Sequence, residues 1–224
     1  TVEGSNIEVK TEDKTNLLGV ALGVGVGVNK EGFSLELEAT TADNKVKNKK
    51  NSATINNTSI DETSKTKNAV VTAKAQNAST ITATSDAVSV GLGDMGANVG
   101  LTVSVNEITS TDTAEAVNST LHVKNLTLDA QQANKLNNVS IGVGFANDNI
   151  GALGSGSQND ITAHVYSQAI GSTIDSDGNV AILAKDDSSL LSVNGGLNVT
   201  LAVSQDHLFN MGLGTNVNVN TIDS

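Results

Sequence analysis

The 224-residue chain has a formal net charge of −11, no Cys, no Pro and no Trp, and each of its basic side chains is a lysine. So acidic a chain is not built for nucleic acid or anionic lipid, since both partners need clustered positive charge. The lack of Cys removes disulfides and thiolate metal sites without placing the chain in any compartment. The only aromatic residues are Phe33, Phe145, Tyr166 and Phe209, so Val, Ile, Leu and Ala must build the core as thin, regular layers.

Four copies of one pattern, Asn-apolar-x-apolar-x-(Ala/Thr), punctuate the chain, beginning at Asn6, Asn68, Asn125 and Asn179. The spacings are 68−6 = 62, 125−68 = 57 and 179−125 = 54 residues. Independent domains usually need on the order of 100 residues, so units this short must bury their cores by stacking. The units expected are residues 6–67, 68–124, 125–178 and 179–224, forming one continuous repeat segment. The first block opens a few residues in and the chain stops inside its fourth unit, so the sequence reads as a piece of a longer protein.

In the first unit a Gly/Val strand follows the Asn-led strand, with Val20, Leu22, Val24, Val26 and Val28 alternating with Ala21, Gly23, Gly25 and Gly27. The turn Asn29-Lys30-Glu31-Gly32 leads to a second alternating strand carrying Leu35 and Leu37, then to a polar stretch from Thr40 to Ser52. Its basic cluster, Lys45 to Lys50, reads as a solvated loop. The second unit repeats the order with Val88, Val90 and Leu92, the turn Gly93-Asp94-Met95-Gly96, then Val99, Leu101, Val103 and Val105. The third has Val139, Ile141, Val143 and Phe145 before Asn147-Asp148-Asn149, and the fourth has Val199, Leu201 and Val203 before Ser204 to His207, then Val217 and Val219. Short closing elements end the first three, at Ile55–Ile60, Val117–Leu121 and Ile170–Ile174. A period of two throughout predicts strands with one buried face, and the wealth of Asn, Thr, Ser, Gly and Val disfavours helix.

These features predict an all-β, elongated repeat protein, a parallel β-solenoid (β-helix). Three coils per unit would give about 19 residues per coil, and about eleven coils rising ~4.8 Å each would make a rod of roughly 50 Å. Val, Ile and Leu would stack inside it and Asn at its turns. The alternative is a stack of antiparallel hairpin units. The alternating glycines mark close approach of another backbone, read here as sheet-to-sheet packing inside the rod, with a docking face for another protein as the other reading.

The Asn-led strands, the Gly/Val block with Gly195-Gly196, the Val-Asn-x-Ile ending and the Asn-Ser-Thr-Leu closure resemble the repeats of fusobacterial leukotoxin-type filamentous adhesins. These are very large exported proteins of Gram-negative anaerobes. The clearest stretch runs from Asn179 through Lys185-Asp186-Asp187-Ser188-Ser189 to Gly196, and the first unit departs most. The resemblance implies export to the cell surface, a β-helical stalk and roles in adhesion or host-cell damage. It supplies no catalytic residue.

Other chemistry has thin support in the residues. Gly91-Leu92-Gly93-Asp94-Met95-Gly96 matches a dinucleotide fingerprint, but residues 97–105 alternate like a strand where that motif needs a helix. Asp175, Asp177 and Asn179 place oxygen ligands on a tight turn and form a weak calcium candidate without the distal Glu of a full loop. His122, His164 and His207 fall in different parts of their units. Asp61-Glu62 and Asp186-Asp187 are adjacent acids, and neighbours on a strand point to opposite faces, so neither makes the opposed pair of a β-helical carbohydrate-active enzyme. No cofactor is expected. The expected role is a non-catalytic stalk segment of a secreted or outer-membrane-associated adhesin, stacked on flanking repeats, without membrane insertion by this segment. The alternative is a module that itself binds a host-cell or bacterial surface protein through its acidic side or its Gly/Val face.

Overall fold

The structure is a computed structural model that describes residues 6–60, 68–147, 150–201 and 211–224, with the backbone alone at 29–34, 93–96, 147 and 201. The described residues form strands and turns, without helix. Layer 1 holds β1 (Ile7–Asn56) and β2 (Ser59–Ile60), and layer 2 holds β3 (Val70–Val117) and β4 (Thr120–Val123). Layer 3 holds β5 (Asn125–Gln132), β6 (Lys135–Asn147), β7 (Ile150–Ile170) and β8 (Thr173–Ser176). Layer 4 holds β9 (Val180–Asp186), β10 (Ser189–Leu201) and β11 (Met211–Asp223).

Every described pairing is parallel and joins one layer to the next. β1 lies on β3, β3 on β5, β6 and β7, and these on β9, β10 and β11. β2, β4 and β8 form a second, narrow sheet. This is a parallel β-solenoid, and the hairpin alternative falls with the parallel pairings. The coil count expected from sequence is corrected. Each unit makes one wide layer rather than three coils, so the chain rises through four layers and not eleven. The layers span roughly 14 Å from first to last at ~4.8 Å per step. A long unit suits one wide layer because its arms face each other across an interior and do not pair.

Each layer is a narrow loop with an outgoing arm, a tip and a return arm. The arms face each other closely: a Cβ built on Gly27 would touch Glu36, and one on Gly91 would overlap the Asn98 side chain. Near the closure, inward residues form an apolar core containing Val71, Ala73, Leu121, Val123, Leu126 and Leu128, all fully buried. Farther out, the outgoing ladder Leu17–Ile81–Leu136–Leu190 faces the return ladder Val46–Ile108–Ile161. The closing turn is set by left-handed residues, Asn57 (φ 49°), Asn118 (φ 48°) and Gly171 (φ 57°), stacked in successive layers. Asn and Gly are the residues that tolerate this conformation. Hydroxyls stack beside them, with Thr58 N donating to Ser119 Oγ at 3.1 Å and Ser119 N to Ser172 Oγ at 3.1 Å.

One sequence alignment is offset. Asn125 aligns with Val70 and Val71 with Leu126, so the second Asn-led motif sits two residues out of step with the third. A shift of two preserves which side chains point inward, whereas a shift of one would not.

Candidate functional site

The most distinctive surface comes from an inversion within each arm. In β1, odd positions point inward along the outgoing arm. Ile7, Val9 and Leu17 therefore face the interior while Glu8, Lys10 and Lys14 face solvent. The doublet Leu17-Leu18 then switches the apolar phase without changing the register. Beyond it, Gly19, Ala21, Gly23 and Gly25 point inward, and Leu18, Val20, Leu22, Val24, Val26 and Val28 point out. The expectation that the branched residues of the Gly/Val strand stack inside is thus corrected for the outer half of each layer. The arms approach too closely there for paired Val or Leu, so small residues fill the gap and the apolar ones are displaced outward.

The interior of this outer half, a thin two-sided fin, is polar. Asn44 Nδ2 donates to Asn106 Oδ1 at 2.9 Å, Asn106 Nδ2 to Asn159 Oδ1 at 2.8 Å, and Asn159 Nδ2 to Asn220 Oδ1 at 2.9 Å. The result is a hydrogen-bonded asparagine row through all four layers. From the opposite arm, Asn138 Oδ1 accepts from Ser104 Oγ at 2.8 Å and from Asn106 Nδ2 at 3.2 Å. The exterior is apolar on both faces. Val24, Val88, Val143 and Leu197 make one outward ladder, and Val26, Val90, Phe145 and Val199 the next. The end layers are exposed in part because nothing described covers them, but the inner layers are exposed too: Leu101 at 48%, Phe145 at 42% and Ile141 at 38%. Soluble surfaces rarely carry so continuous an apolar patch without a use for it.

The residues singled out from sequence are scattered. Asp175 lies on β8 and pairs through Oδ2 with His122 Nδ1 at 3.1 Å, while Asp177 and Asn179 lie on the turn beyond. Asp177 N donates to Val123 O at 3.2 Å and Asn179 N to Asn125 Oδ1 at 2.8 Å, so that turn is shaped by bonds to the layer below. Among the described residues no group of three or more His, Cys, Asp or Glu converges to hold a metal ion. His164 lies on β7, stacked on Tyr166, away from the narrow sheet that carries His122. His207 and Asp61-Glu62 lie outside the described residues. Gly91 to Gly96 runs within β3, with strand on both sides, so no helix N-terminus is present for a pyrophosphate.

The lysine cluster is corrected from loop to strand. It lies within β1, where the register slips between Val46 and Lys49 and Asn48 takes φ 56°. Acids on the same and neighbouring strands make this possible: Lys45 pairs with Asp43, Lys47 with Glu107 and Lys49 with Asp13.

A cavity of about 340 Å³ lies beside the break between β5 and β6, lined by Glu12, Lys14, Gln76, Gln131 and Asp187 among others. Its acids are engaged by lysines. Glu12 lies between Lys10 and Lys14, whose hydrogen bonds and charges hold its carboxyl below the usual range, and Asp187 pairs with Lys185.

No family model, curated protein or solved structure matches this chain.

Proposed function

We propose that this chain is a non-catalytic structural segment of an exported, surface-displayed fibre of the leukotoxin-type filamentous adhesin kind, at the surface of a Gram-negative bacterium. The observation that carries the reading is the in-register parallel stack. The backbone edges of β1 and of β9 to β11 meet no further strand among the described residues. Such edges accept identical layers, as in other stacked repeat proteins, so flanking repeats of the same protein would extend the fibre. Its role is to project whatever lies at the fibre end.

A second reading has its own support. The outward apolar faces of the fin are the kind of surface that a direct adhesion module would use on a protein ligand. The two separate on cells. The purified chain, fluorescently labelled, should leave host-cell monolayers and bacterial surfaces uncoated if it is a stalk. Saturable coating competed by unlabelled chain would replace the stalk by an adhesive module.

A further inference from the structure

We propose that copies of this chain pack side by side through their fins, an outgoing face of one copy against a return face of the next. This rests on the geometry of the two faces and not on the fibre reading above.

The outgoing face of layer 3 is a ridge: Val139, Ile141, Val143 and Phe145 point outward at every second position. The return face of the same layer is a trough. There the outward residues are Ala152, Gly154 and Gly156, flanked by Val99, Leu101 and Val103 of layer 2 and by Leu213, Thr215 and Val217 of layer 4. The trough is open at Gly156, where a Cβ would find only backbone carbonyls at 3.9 and 4.0 Å, whereas at Gly154 the Leu101 side chain leans in and would have to turn aside for a ridge residue.

Ridge and trough also lie at the same level along the arms. Inside the fin, Gly142 and Gly144 both face Leu153. Val143, between them, is therefore level with Leu153, which puts it midway between outward Ala152 and Gly154. Ile141 is level with the gap between Gly154 and Gly156 by the same count. A sideways translation of one copy, without rotation, sets Val143 and Ile141 between small trough residues, with Phe145 beside Ile150 and Val139 beside Gln158. That is how facing sheets interdigitate ~10 Å apart.

Charge and area point to the same occupant. Of the outward positions at residues 84–92, 97–105, 139–145 and 150–156, Asp86 beside Ile141 alone is charged, so most of the net charge of −11 lies elsewhere and does not oppose contact here. Five outward positions ~6.8 Å apart across four layers ~4.8 Å apart give a face of about 650 Å². A stable interface needs ~800 Å² per partner. One chain thus approaches that size, and each further layer adds about 160 Å². Because the two faces differ, the contact is heterologous and does not close, so it propagates through many copies.

Sedimentation of the purified chain tests this with two outward variants, Val143→Lys on the ridge and Gly156→Glu in the trough. The wild-type chain should associate beyond the dimer as its concentration rises. Each variant alone should stay monomeric with an unchanged circular dichroism spectrum, and association should return when the two are mixed, because the mixture restores one intact ridge against one intact trough. Phe145→Lys with Ala152→Glu repeats the design if either variant loses its β spectrum. A wild-type chain that stays monomeric at every concentration overturns the proposal. So does a Gly156→Glu variant that associates like the wild type, which would mean that two outgoing faces meet. Monomeric wild-type chain that floats with neutral phosphatidylcholine vesicles would assign the faces to lipid instead.

Discussion

Asp112 is an acid held among amide side chains in the interior of layer 2. It points inward from β3, fully buried, and accepts from Asn51 Nδ2 at 2.9 Å. Burial pushes its carboxyl up from the ordinary 3.8 to about 6; hydrogen bonds from Asn51 and Gln132 oppose the shift, and the charges of Asp13 and Asp186 add to it. A carboxyl with a raised folded-state pKa is protonated in the fold before it is in the unfolded chain. Its contribution to stability is therefore complete below about pH 4 and declines as pH rises to about 6. The two-unit shift corresponds to about 3 kcal/mol. Asp112→Asn should remove that slope and raise the thermal midpoint at pH 7, read by melting curves at pH 4, 5, 6 and 7. A second contrast tests the direction of side chains near the closure. Leu128 is fully buried and Thr127 beside it faces outward. Leu128→Asp should cost several kcal/mol and Thr127→Asp less than about 1 kcal/mol, because only the first buries an unpaired charge. Denaturant titration of both separates the outcomes.

Along a single strand, much was readable from the residues and one thing was not. Strict alternation in Val20 to Val28 and in Val99 to Val105 announces strands, and the glycines announce a nearby backbone, which proves to be the opposite arm. Period two says that two faces differ but not which is inside. Near the closure the apolar side is inside, and beyond Leu17-Leu18 it is outside. The adjacent leucines were the available mark, since a change of phase within an unbroken strand needs two like residues in a row. Asn106 and Asn159 are the centre of the internal amide row, a role that depends on three other layers and is not visible in either strand alone. Asn106→Leu tests the row. Although the substitution adds apolar volume, it takes the Asn106 amide from Asn44 Nδ2 and from Asn159 Oδ1, at roughly 1–3 kcal/mol for each orphaned group. Val103→Thr on the outer face should change stability by under about 1 kcal/mol. Equal effects in calorimetry would mean that the amide row does not hold the arms in register.

At the scale of the molecule, the repeat was legible and its geometry was not. The spacings near 60 residues show that units stack. Whether a unit winds once or three times depends on whether its arms pair or face each other, which turn length does not reveal. The calcium candidate joins Asp175 on β8 to Asp177 and Asn179 on the turn beyond, with bonds that include those to His122, Val123 and Asn125. Since each layer touches only its neighbours, stability should be a sum of layer and interface contributions. A chain ending after Ser176 should therefore keep a β-rich three-layer fold with a lower thermal midpoint. Complete loss of the β spectrum in that truncation would show that all four layers form one indivisible unit.

The steps between layers, at Lys124 and at residues 177–179, lie at the closure end, far from the tips. A pull transmitted along the chain would therefore enter every layer at the same edge. Backbone pairs such as those joining β1 to β3 from Ile7↔Val71 to Asn56↔Val117 would open one after another from that edge and not all together. Layer 2, residues 70–123, rises only ~4.8 Å when folded, yet its 123−70+1 = 54 residues span about 180 Å when drawn out. Stretched between a probe and a surface, the chain should lengthen in force peaks about 180 Å apart. The same stacking that makes the protein a stiff element at rest stores slack for use under tension, a property suited to an anchor that must survive sudden drag.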